Sequence, residues 1–148
     1  MIRWGVIGCG GIADRRTIPE GIMPAEGSKL VAVMSRSEGT AERIARKYVV
    51  KRHYTREESL LQDPEVDAVY VATPNCLHAV QSIAAAEHGK HVLCEKPLAL
   101  TMGDCEGIVA SCRRNGVKLQ VGYMMSFHAC HQEALRIIKQ GLIGQPVM

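Results

Sequence analysis

The string Gly8-Cys9-Gly10-Gly11-Ile12-Ala13 follows directly on a short Val- and Ile-rich run at residues 2–8 and opens a segment with helical spacing. Few sequence features restrict a fold as tightly. The first glycine permits a sharp turn, and the second removes the Cβ that would obstruct an approaching ligand. The small Ala13 lets the helix lie close to the strand. The helix start behind them presents unpaired N–H groups and a partial positive charge, which suits a phosphate. On its own, G-x-G-x-x-A is a common glycine-rich turn. Placed after a strand and before a helix, it marks a dinucleotide site. Gly8, Gly10, Gly11 and Ile12 are therefore the candidate pyrophosphate contacts.

The rest of the chain repeats the same alternation. Apolar runs at residues 30–34, 51–54, 66–72, 91–94 and 118–122 read as strands. Between them, residues 11–23, 38–48, 75–88 and the stretch opened by Thr101 and Asp104 read as helices, with Pro19 expected to kink or shorten the first. Thr55, with Glu58 three residues on, has the spacing of a capping box. Gly89 and Asn115-Gly116 are helix stops. Residues 127–140 form an amphipathic helix whose apolar stripe includes Phe127, Cys130, Ala134, Leu135 and Ile138. The strands do not alternate polar with apolar, as expected of strands covered by helices on both faces. The expected fold is α/β: a doubly wound parallel sheet, with its ligand at the carboxyl ends of the strands where strand order reverses.

The second strand ends in Met34-Ser35-Arg36-Ser37. A site built for the ribose 2′-hydroxyl of NAD places an Asp or Glu there. Here a hydroxyl and a guanidinium stand instead, which suits a 2′-phosphate. Glu38 follows, but belongs to the next helix. NADP(H) is favoured at Ser35 and Arg36, with NAD(H) as the alternative.

Composition narrows the remaining classes. A net charge of +3, spread along 148 residues with only six aromatic side chains, offers neither a basic stripe nor a stacking platform for nucleic acid. No apolar run approaches the roughly 18 residues of a membrane span. The N-terminus lacks the plan of a signal peptide. Six cysteines without a C-x-x-C pair read as reduced thiols, and the chain as cytoplasmic. His128-Ala129-Cys130-His131 resembles a metal cluster, but adjacent helical positions diverge and cannot all reach one ion. No metal is expected; Cys130 is expected in the core and His128 toward a pocket. Cys9 reads as a tolerated small residue of the glycine loop and not as a redox sensor.

Four further strings are Ala72-Thr73-Pro74-Asn75 with His78, Glu95-Lys96-Pro97, Val121-Gly122-Tyr123-Met124-Met125 leading to Phe127-His128, and Ile143-Gly144-Gln145-Pro146. In this order and at these separations, over the whole chain, they resemble the Gfo/Idh/MocA family of glucose–fructose oxidoreductase and inositol dehydrogenase. The resemblance implies an N-terminal Rossmann domain, residues 1–122. Residues 123–148 are then a linking helix and the start of an α+β substrate domain that this chain lacks. It also implies NAD(P)-dependent hydride transfer with a small sugar-like or polyol substrate, and a homo-oligomer in full-length form.

By the same resemblance, Glu95 and Lys96 lie beside nicotinamide and substrate, with Thr73, Pro74, Asn75 and His78 flanking the inner ribose and the nicotinamide. The family often holds the Lys–Pro bond cis. The chemistry agrees: an alcohol giving up hydride must also lose its hydroxyl proton, and a lysine amine at a strand end is placed to take it. Lys96 is the candidate catalytic group, and Glu95 either steadies it or binds ribose hydroxyls.

The chain departs from the family pattern in two places. An aspartate and a histidine of the usual catalytic set fall beyond residue 148, and Ser126 stands where related strings often have arginine. The isolated chain is therefore expected to be inactive alone. A non-catalytic dinucleotide sensor or interaction module is the rival reading, and redox-assisted glycoside cleavage is a variant within the family.

Overall fold

The computed structural model describes residues 1–145. Six parallel strands, β1 (Ile2–Ile7), β2 (Ser28–Met34), β3 (Arg52–Tyr54), β4 (Ala68–Val71), β5 (His91–Cys94) and β6 (Leu119–Val121), form one sheet in the order β3-β2-β1-β4-β5-β6. The order reverses between β1 and β4, which is the doubly wound Rossmann arrangement. Pro146 to Met148, the end of the last sequence string, lie outside the described residues.

Alternate strand residues point to opposite faces, and each face has its own core. Val6, Val33 and Tyr70 meet Ile18 and Ile22 of the glycine-loop helix (Ala13–Ile22) and Ile44 of α1 (Glu38–Lys47). On the other face Ile7, Ala32, Val69 and Val71 pack with Leu60 and Leu61 of α2 (Glu57–Leu61). Ala85 and Ala86 of α3 (His78–Glu87) and Ile108 of α4 (Met102–Arg114) complete that layer. Burying each large aliphatic side chain contributes about 1.5–3 kcal/mol, so strands covered twice need no polar positions.

Local chemistry departs from the sequence reading at three points. Pro19 does not shorten the first helix, which continues to Ile22 with π winding and ends with the Met23 N–H on the Ile18 carbonyl, five residues back. The wider turn accommodates a residue that has no N–H to give and whose ring would crowd the preceding carbonyl. Thr55 does not cap α2, whose N-cap is Arg56 with no side-chain cap bond. The Glu58 carboxylate accepts from Gln62 Nε2 at 3.3 Å and does not reach back toward Thr55. By contrast, Thr101 caps α4 as its spacing suggests, accepting from Asp104 N at 3.1 Å.

The third departure is the last helix, α5 (Ala129–Lys139), preceded by a 3-10 turn at Met124–Phe127. No α5 residue is buried, so Cys130 is exposed and not in the core. His128 does not face a pocket. It is the N-cap, with Nδ1 accepting from Cys130 N at 3.3 Å. The apolar stripe is there, but Leu135 and Ile138 lie on an outer surface.

Candidate active site

Strand register brings the site together. Ile7 pairs with both Met34 and Val71, and Val71 pairs with Cys94, so β1, β2, β4 and β5 end level. The residues that follow, Gly8, Ser35, Ala72 and Glu95, emerge along one edge of the sheet. Two adjoining clefts open there, sharing Ala72 and Thr73.

The first cleft, of about 320 Å³, takes in Gly8, Gly10, Gly11, Ser35, Arg36, Thr73 and Pro74. Gly8 has φ +85°, and a Cβ there would stand 2.8 Å from the Ala72 carbonyl oxygen, so the protein itself requires glycine. Its amide is committed to the Met34 carbonyl at 3.0 Å, which makes Gly8 a turn former and not a phosphate donor. Gly10 differs. A Cβ there would meet only Thr40 at 3.9 Å, and one at Gly11 would meet nothing within 4 Å. Among the described residues, the amides of Gly10, Gly11 and Ile12 donate to no protein acceptor. The open cradle over Gly10 and these free donors at a helix start fit a pyrophosphate.

At the end of β2 the Ser35 hydroxyl accepts from Ser37 N at 3.2 Å, and Ser37 caps α1 through Thr40 N at 3.4 Å. Arg36 is exposed and forms no ion pair among the described residues. Glu38 is already in the first turn of α1, where its carboxylate meets His53 Nε2 at 3.2 Å.

The second cleft holds Ile12, Thr73, Asn75, His78, Glu95 and Lys96, closed on one side by Met124. Lys96 is exposed at the mouth, and its Nζ has no ionic partner among the described residues. Glu95 does not grip that amine. Its Oε2 accepts from the Lys96 backbone N–H at 3.1 Å, and its Oε1 accepts from the Tyr70 hydroxyl at 2.7 Å. The Lys96–Pro97 bond is cis. His78 is fully buried in the wall, its ring nitrogens facing the carbonyls of Pro97 and Thr73. The Thr73 hydroxyl donates to Gln81 Oε1 at 2.5 Å, and Gln81 Nε2 donates to Glu57 of α2.

All twelve residues singled out in the sequence thus gather at one pair of clefts, His78 within the wall. Leu77, Gln81 and Met124 also line them, and the buried Tyr70 donates to Glu95. Tyr70 carried a signal: a lone hydroxyl-bearing aromatic in a wholly buried strand must find a partner. Cys9 lies under the glycine loop with no exposed surface, and burial pushes its thiol up to about 11, which keeps it protonated and unreactive. Among the described residues, no three His, Cys, Asp or Glu side chains gather to hold a metal. Nor is any helix there long and apolar enough to cross a membrane.

These elements define a Rossmann domain with a nucleotide cleft at its switch point. Residues 2–123 match GFO_IDH_MocA, an oxidoreductase family with an NAD-binding Rossmann fold. This chain belongs to that family, and the matched part is its nicotinamide-nucleotide-binding domain. The 1,5-anhydro-D-fructose reductase of Ensifer adhaerens is 41% identical over 99% of the chain. The dTDP-3,4-didehydro-2,6-dideoxy-alpha-D-glucose 3-reductase of Saccharopolyspora spinosa is 37% identical over 97% of it. A crystal structure of a 3-ketoreductase from Actinomadura kijaniata, in complex with TDP-benzene and NADP, superposes on 97% of the chain with a TM-score of 0.90 at 35% identity. The chain spans 44%, 43% and 45% of those three proteins' lengths, respectively.

Proposed function

We propose that this chain is the cofactor-binding part of an NAD(P)-dependent oxidoreductase acting on a sugar, polyol or related carbonyl compound, with NADP(H) preferred. One observation carries the reading. A single sheet edge holds the glycine loop, the free guanidinium of Arg36 and the Glu95-Lys96 pair in two adjoining clefts. Arg36 and Ser35, where an acid would mark NAD, support recognition of a 2′-phosphate. The NADP complex of the Actinomadura relative supports it as well.

When bound, the nicotinamide supplies or receives the hydride. The protein's own task is to bind, orient and move a proton. Gly10, Gly11 and Ile12 offer amides to the pyrophosphate, while Gly8 shapes the turn. Thr73, Pro74 and Asn75 wall the inner ribose and the nicotinamide. The Lys96 amine, unpaired at the cleft mouth, takes the hydroxyl proton as an alcohol is oxidised and returns it to the oxygen on reduction. Residues 1–122 are the dinucleotide-binding domain in this reading, and residues 123–148 join it to the family's substrate domain. The absence of any buried residue in α5 supports that division. The relatives named for sugar derivatives support a small sugar-like substrate; the homo-oligomer of the full-length form rests on the family resemblance alone.

Calorimetric titration of the chain with NADPH and with NADH tests the cofactor. NADPH binds more tightly, and Arg36→Ala weakens it by roughly ten- to a hundredfold, the value of a lost charge-assisted bond, while affecting NADH little. Equal losses overturn the 2′-phosphate assignment. A folded chain that binds neither overturns the cofactor reading.

A further inference from the structure

A part-buried hydrogen-bond chain, centred on the buried Tyr70, reaches Glu95 in the second cleft. It starts at Thr17, midway along the glycine-loop helix, passes through Tyr70 in β4 and ends on Glu95 beyond β5. Thr17 Oγ1 lies 2.9 Å from Tyr70 Oη, and Tyr70 Oη lies 2.7 Å from Glu95 Oε1. Proton counting sets the direction. A carboxylate has no proton to give, so the single phenolic proton of Tyr70 goes to Glu95, and Tyr70 Oη accepts from Thr17. Tyr70 is 1% exposed, and burial raises its phenol well above the ordinary value, so it stays a donor at neutral pH. The other carboxylate oxygen is held by the Lys96 N–H. Both oxygens of Glu95 are therefore held, one by the Tyr70 hydroxyl and one by the Lys96 backbone.

We propose that Tyr70, backed by Thr17, is a positioning residue that fixes the Glu95 carboxylate for contact with the nicotinamide half of the cofactor. This rests on the cofactor reading above. The arrangement explains why a tyrosine stands in an otherwise aliphatic buried strand, where phenylalanine would fill the same space with no hydroxyl to satisfy. It also gives Thr17, on the helix that follows the glycine loop, a link to the opposite end of the site. The chain couples pyrophosphate loop and nicotinamide end through two hydroxyls.

The test compares NADP⁺ with 2′,5′-ADP, which shares the phosphorylated adenosine but lacks the nicotinamide nucleoside. Both are titrated into the wild-type chain and into Tyr70→Phe, Thr17→Val, Glu95→Gln and the Tyr70→Phe/Glu95→Gln double variant, each checked for folding by circular dichroism. Tyr70→Phe weakens NADP⁺ by about tenfold, as expected for one charge-assisted hydrogen bond, and leaves 2′,5′-ADP unchanged. Thr17→Val has the same selectivity with a loss of about two- to threefold, and the double variant is no weaker than Glu95→Gln. Equal losses for both ligands, no loss for either, or full additivity with Glu95→Gln overturns the proposal while the cofactor reading stands. If Tyr70→Phe does not fold, Thr17→Val decides by the same criteria. A folded wild-type chain that binds neither ligand overturns the cofactor reading and this proposal together.

Discussion

His78 Nδ1 stands 2.8 Å from the carbonyl oxygen of Pro97, a contact that spans 19 residues of sequence. Its Nε2 lies 2.9 Å from the Thr73 carbonyl oxygen, and the ring is fully buried. One imidazole thus bridges the loop after β4 and the loop after β5, the two segments that carry most of the second cleft. A neutral ring donates to one carbonyl and an imidazolium to both. The structure makes His78 a strut between loops, placed beneath the cleft surface.

A strut and a ligand contact fail differently. His78→Leu leaves a buried carbonyl without its donor, at a cost of about 1–3 kcal/mol. Thermal unfolding of the variant occurs several degrees lower with no ligand present, and NADPH binding weakens along with it. A variant that melts like wild type yet loses NADPH would instead make His78 a direct cofactor contact.

Val49 is the one non-glycine residue with positive φ, at 56°, among the described residues, and it is 90% exposed. It sits just past α1, where Val50 N donates to the Ala45 carbonyl at 2.8 Å and Val49 N to Arg46 at 3.3 Å. That is a helix stop that ordinarily uses glycine, and a β-branched side chain there is strained by about 1–2 kcal/mol. Val49→Gly relieves the strain, loses no buried contact and gives back part of the gain through a freer unfolded chain. The expected net gain is about 0.5–1 kcal/mol, read as a melting midpoint higher by roughly 1–4 °C. NADPH affinity is unchanged, because the site lies at the other end of α1.

Much of this was legible in the chain. Apolar runs without alternation gave the parallel sheet, and the glycine string after the first of them located the switch point. What escaped was decided by contacts between distant segments. Nothing local says that Pro19 will be absorbed by a wider helical turn, or that Glu58 will meet Gln62 and ignore Thr55. The stop at Val49 could not be read, since the residue contradicts its own backbone preference. At the site, Ser35 and Arg36 were found because they follow the second strand, and Glu95 and Lys96 through the resemblance carried by Glu95-Lys96-Pro97; register then brings all four to one sheet edge. Gln81 was missed because it acts through Thr73, eight residues back and across a turn. The stripe of α5 was read correctly as a pattern and wrongly as a buried face, because periodicity shows which residues share a side but not what covers it.

Asp67 and Arg3 set part of the acid stability. The Arg3 guanidinium holds the Asp67 carboxyl down from 3.8 to about 2, through hydrogen bonds of 2.6 and 2.9 Å. A carboxyl depressed on folding contributes stability that is fully present above its unfolded value, and loses it as pH falls through the folded one. The contribution is therefore intact above about pH 4 and gone below about pH 2. Both groups are about one-third exposed, so screening by solvent keeps it modest. Asp67→Asn makes the unfolding midpoint in urea less dependent on pH across that window, with little effect on NADPH binding at pH 7. A variant that retains the full wild-type slope between pH 4 and 2 would assign the acid sensitivity to other carboxylates.

Gly8 and Gly10 are two glycines of one motif with different reasons to be glycine, and alanine separates them. At Gly8, with φ +85°, the added Cβ meets backbone at 2.8 Å, and neither Ala72 nor the turn has room to give. Gly8→Ala should cost upwards of about 1–3 kcal/mol in folding, visible as a lower melting midpoint with no ligand in solution. At Gly10 the backbone is ordinary and the added Cβ finds only Thr40 at 3.9 Å, so Gly10→Ala folds and melts like wild type or slightly higher. Its methyl group then projects into the cradle beside the free amides, where the pyrophosphate belongs, and NADPH binding falls by at least tenfold, more than about 1.4 kcal/mol. Both outcomes are read from one thermal-shift experiment, run with and without NADPH. A Gly10→Ala variant that melts normally and is still stabilised by NADPH as strongly as wild type would move the pyrophosphate away from this loop.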